Sequence, residues 1–269
     1  FDSDRPSKWN FDEGVWLAGY FAHDWAFERI RADSFVTTPS NHVMKLAGPA
    51  QYGLASGTWS SEKGRRFYAY NVRAELDAPG EVYWDRKTGV VDFIPPPGGI
   101  TEFRAAVNEG PIVSATGASN IEFEGIAFEY AAGDGLSFAN STNCSVLGCQ
   151  VWNVGGNGVT IRGGHSCRVR GSFIRDCRRC GVDVSGGDRR SLASCNHTVE
   201  GCVISRFGTL QRTCAPGTRV SGVGVRLAHN VFHDAPHSAV HYGGNDHLFE
   251  HNEVYGIMQE TGDAGAFYT

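Results

Sequence analysis

The chain has 269 residues, 20% charged and 41% hydrophobic, with a formal net charge of −5. That length buries a large core and admits two domains, while the acidic balance and the lack of a basic run argue against a nucleic-acid or anionic-membrane surface. No stretch approaches the roughly 18 apolar residues of a membrane span, and no signal peptide is read; a start at Phe1 rather than Met is expected of an N-terminus that was removed or omitted.

Residues 1–110 read as an antiparallel β module. They hold Trp9, Trp16, Trp25, Trp59 and Trp84, five of the six tryptophans. Gly14 to Tyr20 and Arg66 to Tyr70 are strand-like runs. Glu81 to Asp85 and Val90 to Ile94 flank Arg86-Lys87-Thr88-Gly89, the signature of a hairpin turn. Pro95-Pro96-Pro97-Gly98-Gly99 then breaks regular structure. The aromatic residues are expected in the core of this module; a stacking platform for sugar rings is the alternative.

Residues 111–269 carry a spaced repeat. Six segments share an apolar residue, a Gly or His pivot and a second apolar residue, and the pivots are Gly125, Gly148, Gly171, Gly201, His229 and His251. Steps of about 22 to 30 residues with short strands and Gly/Asn turns predict a β-solenoid. A second strand follows each pivot: Gly135 to Phe138, Gly158 to Ile161, Gly181 to Val184, Thr218 to Val220, Ala239 to Tyr242 and Gly265 to Tyr268. Alternate residues of a strand point to opposite faces. The inward ladder is therefore Leu136, Val159, Val182, Val240 and Ala266, joined by Phe138, Ile161, Val184, Tyr242 and Tyr268. The outward row is Ser137, Thr160, Asp183, Arg219, His241 and Phe267. Such ladders are the core of a parallel β-helix, and the crossover rule makes it right-handed.

All eight cysteines lie between Cys144 and Cys214. Cys144 and Cys167, one turn apart, are either a disulfide or stacked buried thiols. Cys149 and Cys202 have Ser172 between them and are not expected to bond. Cys177-Arg178-Arg179-Cys180 has CxxC spacing but no second pair to complete a zinc site. His229 and His251 hold pivot positions and read as structural. Asn230 and Asn252, stacked one turn apart, are expected to form an amide ladder that satisfies the turn backbone.

Several motifs together resemble a known family. They are Trp16-Leu17-Ala18-Gly19-Tyr20-Phe21 with Asp24-Trp25, and Glu75 to Glu81 with Tyr83, Asp85, Arg86, Thr88 and Gly89. Further on come Gly186-Gly187-Asp188-Arg189, His229-Asn230, His233 to Ser238, Gly243 to His247 and Glu260 to Tyr268. The chain is similar to glycoside hydrolase family 141, whose activities include α-L-fucosidase and xylanase. The resemblance implies a right-handed parallel β-helix preceded by a β module, and a secreted or periplasmic enzyme. In that family the coil continues past the last motif, so the chain is expected to be a piece of a longer protein.

Glycoside hydrolysis needs two carboxyl groups, one as acid and one as base or nucleophile. Asp263 is the first candidate. Aligned on the second strands, it falls level with His237 one turn before, at the mouth of the outward row. Glu260, Asp183 or a residue beyond Thr269 is the candidate partner, although Asp183 alternatively pairs with Arg219 and Glu260 is otherwise a solvated loop charge. His237, His241, Asp246, Arg189 and Arg219 are candidate substrate contacts; Arg189 alternatively pairs with Asp188, and Asp234 reads as a turn residue. No HExxH, P-loop or GxSxG motif occurs, and no metal or organic cofactor is implied. The expected activity is hydrolysis of a polysaccharide or its side-chain sugars. The rivals are a polysaccharide lyase on the same scaffold and a non-catalytic carbohydrate-binding β-helix.

Overall fold

A computed structural model describes residues 3–54 and 66–269. Trp59 lies outside the described residues. Contacts divide the chain into two units, Phe1–Phe103 and Arg104–Thr269. This division falls before residue 110, because the segment after Phe103 is tied to the second unit. Arg104 meets Glu129, and the amide of Ala132 donates to the carbonyl of Asn108.

The first unit holds a four-stranded antiparallel sheet in the order Asn41–Leu46, Phe27–Thr38, Trp16–Tyr20, Arg66–Tyr70. The expected hairpin is present as Val82–Trp84 paired with Val91–Phe93. Strands Phe27–Thr38 and Asn41–Leu46 are the two that patterning overlooked; in Phe27–Thr38 the reason is plain. Its buried Ile30 and Ala32 alternate with Arg29, Arg31 and Asp33, so a strong period is carried by few apolar residues. The core of this unit is mainly aliphatic: Val15, Leu17, Phe21, Ile30, Ala32 and Val72. The expectation of aromatic residues in the core is met by Tyr20, Phe21 and Tyr83, which are buried, and not by the described tryptophans. Trp9, Trp16 and Trp25 are half-buried, and Trp84 is exposed. Indoles carry an N–H that wants a partner, and that of Trp9 reaches Glu75 at 2.5 Å while its ring packs against the core.

The second unit is a parallel β-helix. Each turn gives one strand to each of three parallel sheets. The long sheet stacks Val113–Thr116, Leu136–Ala139, Val159–Arg162, Val182–Gly186, Thr218–Val223, Val240–Asn245 and Phe267–Tyr268. The two short sheets have six strands each and begin with Glu122–Glu124 and Ala127–Glu129. The pivots are the corners between the two short strands of a turn. All six take the left-handed conformation, φ 51–66°, which explains why Gly recurs there. His229 and His251 pay the strain of that conformation and stack at 4.9 Å.

The interior is the expected ladder. Val146, Val151, Val159, Val169, Ile174, Val182, Val199 and Ile204 are at most 1% exposed. The amide ladder forms as well. Asn230 accepts from the amide of Cys202 at 3.0 Å, and its side-chain N–H groups reach the carbonyl of Val199 and Oδ1 of Asn252. All eight cysteines are free thiols and seven are buried, so Cys144 and Cys167 are stacked thiols. Burial pushes the Cys180 thiol up to about 12 and that of Cys202 up to about 11.

The last turn departs from the expected register. Val240 pairs with Phe267 and His241 with Tyr268. Phe267 thus joins the inward ladder, and Tyr268 rather than Phe267 joins the outward row. A column of small residues precedes the strand in each turn: Gly135, Gly158, Gly181, Gly217 and Ala239. A Cβ on Gly135 would sit 2.5 Å from Val151, and one on Gly158 2.5 Å from Ile174. Ala266, not Gly265, takes the next place in that column, with its carbonyl accepting from the amide of Val240. A slip of one residue exchanges the faces. Phe267 then packs beside Phe249, ring centroids 6.1 Å apart.

Candidate active site on the long sheet

The outward row of the long sheet runs Ser137, Thr160, Asp183, Arg219, His241, Tyr268 in successive turns. Parallel strands hold these side chains about 4.8 Å apart, so residues far apart in sequence become neighbours.

The early part of the row is closed. Thr160 is only 3% exposed; its hydroxyl donates to Asp134 at 2.7 Å and accepts from Asn157 at 3.1 Å. Asp183 is 6% exposed. It accepts from Arg162 at 3.3 Å, and Arg219 lies 3.6 Å away on the other side. The Arg219 guanidinium also donates to the carbonyl of Cys214. Asp183 therefore fixes the direction of Arg219. The pairing with Arg219 was expected from the stacking; Arg162 was not, because it leaves the strand at a position that faces Ser185 rather than Asp183.

The late part of the row is open in a chemical sense. His237 and His241 meet edge to face, with ring centroids 5.2 Å apart, and the Tyr268 ring lies 5.7 Å from His241. Nδ1 of His237 and Nε2 of His241 are buried and have no hydrogen-bond partner. An unmet buried polar atom costs about 1–3 kcal/mol. Burial lowers the pKa of His237. Burial, with His237 and Arg219 adding to it, brings His241 down to about 4. Both rings are thus neutral at pH 7, each offering one donor and one acceptor nitrogen.

The carboxylates are distributed differently from expectation. His237 does not lie level with Asp263: its carbonyl accepts from the amide of Met258 at 3.2 Å, and that of Pro236 from the amide of Glu260 at 3.3 Å. Asp263 is exposed, sits at φ 51°, and makes no hydrogen bond or ion pair with the described residues. Glu260 is not a solvated charge: it forms a bidentate ion pair with Arg212, one arm at 2.8 Å. Asp246 is exposed at φ 54°, one residue beyond the strand. Arg189 donates to Asn245 at 3.2 Å and not to Asp188. The Asp188 carboxylate instead accepts from the amide of Arg190 and the hydroxyl of Ser191, which holds its pKa below the usual range. Asp234 sits at φ 54° beside His233, as a turn residue would.

Sequence reasoning thus brought Asp183, Arg219, His237 and His241 to one face and missed Arg162 and Tyr268.

The family described as "Right handed beta helix region" matches residues 99–209. No curated protein matches the chain. Among solved structures, one titled "Glycoside hydrolase" superposes with a TM-score of 0.76 at 15% identity; the match covers 96% of this chain and 57% of that one. The Azotobacter vinelandii mannuronan C-5 epimerase AlgE4 A-module gives a TM-score of 0.44 at 12% identity, covering 61% of this chain and 55% of that one. The pectate lyase Pel9A gives 0.38 at 14% identity, covering 57% and 54%. The chain therefore spans little more than half the length of the glycoside hydrolase it resembles in shape. Its second unit is a right-handed parallel β-helix, preceded in the chain by an antiparallel β module.

Proposed function

We propose that this chain is the β-helical part of a secreted or periplasmic enzyme that hydrolyses glycosidic bonds in a polysaccharide or its side-chain sugars. The observation that carries the reading is the pair of buried imidazole nitrogens without partners, Nδ1 of His237 and Nε2 of His241, beside an oriented guanidinium. A sugar presents hydroxyls that both donate and accept, which is what two neutral imidazoles lack. In this reading His237, His241 and Arg219 grip the sugar. Asp263, the carboxylate with open oxygens, delivers or removes the proton. As acid it protonates the leaving oxygen while a second carboxylate takes the proton of the water that attacks the anomeric carbon; as base it takes that proton itself and the second carboxyl group protonates the leaving oxygen. Asp183 and Glu260 serve as positioning residues through Arg219 and Arg212. Asp246 and Arg189 extend the contact surface past the strand ends.

One observation favours a second reading. Arg219 and His241 are neighbours in the outward row, and the His241 Nε2 has no partner. A neutral imidazole beside a guanidinium suits removal of the proton next to a uronate carboxylate, the first step of elimination or epimerisation.

The test is incubation of the protein with a panel of neutral and acidic polysaccharides, reading new reducing ends and near-ultraviolet absorbance in parallel. Reducing ends without absorbance, lost in Asp263→Asn, uphold hydrolysis by Asp263. Sugar release that survives Asp263→Asn removes that residue from the chemistry. Absorbance of an unsaturated product selects elimination, and binding without turnover selects a carbohydrate-binding role.

A further inference from the structure

We propose that Gly243 is a specificity-determining residue: its missing side chain keeps room for a second sugar unit beside the one held by His237 and His241. The inference rests on the reading that those histidines grip a sugar. It narrows the substrate class to a chain of at least two units that lies across the strands, in place of a lone terminal sugar.

Two residues along each strand from the outward row runs a second lane on the same face of the long sheet. It consists of Ser185, Ser221 and Gly243, paired in successive turns. Side chains alternate along a strand, so this lane faces the same way as Asp183, Arg219 and His241. Turns rise by about 4.8 Å, so the lane is roughly 10 Å long. Ser221 and Gly243 are exposed. Arg219 and His241 stand along one side. On the other side the sheet is covered: Val223 is buried, and a Cβ on Gly187 of the loop 187–194 would lie 3.0 Å from it. Arg189 of the same loop donates to Asn245 at 3.2 Å. The lane is therefore a trough with a floor of small residues.

Gly243 differs from the other glycines within the strands of this sheet. A Cβ on Gly186 would lie 2.8 Å from Cys195 and His197. Gly222 and Gly244 stand at φ 96° and 122°, and a Cβ on either would run into the backbone of the preceding turn. Packing or backbone conformation demands glycine at those three positions. Gly243 has a φ outside the left-handed region, and nothing lies within 4 Å of where its Cβ would be. Glycine weakens a strand; where the fold does not require it, close approach of a ligand is the remaining reason for it. His247 fixes the spot. Its Nδ1 accepts from the amide of Val225 at 3.1 Å, so Nε2 carries the hydrogen and donates to the carbonyl of Gly243 at 3.3 Å. The independent mark of a ligand at this end of the trough is His237. It is 4% exposed, its Nδ1 is unmet, and its ring meets that of His241, two residues before Gly243. A sugar held by the two imidazoles puts its neighbour in the chain over Gly243, within reach of the Ser221 hydroxyl one strand away.

The experiment is isothermal titration of the whole chain with monosaccharides and their trisaccharides: xylose and xylotriose, galacturonate and trigalacturonate, glucose and cellotriose. At least one trisaccharide should bind about tenfold more tightly than its monosaccharide, a comparison that needs no variant. Gly243→Phe fills the trough without backbone strain. It should weaken that trisaccharide about tenfold, leave the monosaccharide within about twofold, and keep the melting temperature. Gly243→Ser, which matches the rest of the floor, should keep trisaccharide binding within about threefold. His241→Gln should weaken both sugars. The proposal is overturned by a trisaccharide that binds no better than its monosaccharide, by unchanged trisaccharide affinity in folded Gly243→Phe, or by equal loss of both sugars in that variant. If His241→Gln still weakens binding in such a case, the histidine grip stands and only the second unit falls. No binding of any of the six sugars sinks the grip and this inference together.

Discussion

His241 should make this protein acid-labile in a defined window. Its pKa falls from 6.5 to about 4 because the ring is buried and faces His237 and Arg219. A histidine with a depressed folded pKa binds its proton in the unfolded chain first. Its contribution to stability is therefore fully present above pH 6.5 and is lost as pH falls from 6.5 towards 4. One pKa unit corresponds to about 1.4 kcal/mol, so the complete loss is at most on the order of 3 kcal/mol, up to about 2 kcal/mol of it by pH 5, the half-buried ring being partly screened by solvent. At roughly 2–4 °C per kcal/mol for a chain of this size, that is at most about 4–8 °C in melting temperature. His237 and His197 have lowered values as well and add to the slope in the same direction. The assay compares melting temperature from pH 8 to pH 4.5 for the protein and for His241→Gln. Gln keeps hydrogen-bonding groups but takes no proton. The variant should lose up to about 2 kcal/mol of the difference between pH 7 and pH 5. An unchanged slope would refute the claim that this imidazole is buried against a guanidinium.

Other substitutions probe different links. Thr218 sits in the inward ladder between Val182 and Val240, fully buried, with its hydroxyl unmet; Thr218→Val should stabilise by about 1–2 kcal/mol in denaturant melts. Gly171 stands at φ 59° with open space where a Cβ would go, so Gly171→Ala should cost about 1 kcal/mol from backbone strain alone. Asp183→Asn removes the charge between Arg162 and Arg219 and should destabilise by about 1–2 kcal/mol, tempered because the Arg162 side chain is 63% exposed. Its effect on turnover should be on substrate affinity through Arg219; loss of the chemical step with an intact melting temperature would assign Asp183 to catalysis instead.

Several features were legible because they repeat. The Gly and His pivots marked the left-handed corners, and Leu136, Val159 and Val182 marked one wall of the core. Asn230 and Asn252 announced their ladder by standing at equivalent positions of neighbouring turns. Asp183, Arg219 and His241 could be set on one face for the same reason. The errors came where repetition failed. In the last turn the strand begins after Ala266 rather than Gly265, and one residue of slip moved Tyr268 to the outward row. In the first unit no repeat existed, and tryptophan content was a poor guide to burial.

What the sequence determined by itself is the coil: a residue's place in the repeat dictates whether it faces in or out, since strand stacking copies each position onto the next turn. What only the tertiary structure decided is which polar groups are already satisfied. Arg162 beside Asp183, Arg212 on Glu260 and Asn245 on Arg189 are pairings across loops of unequal length, set by where long side chains end rather than where their Cα atoms lie. The unmet nitrogens of His237 and His241 are visible only by that subtraction.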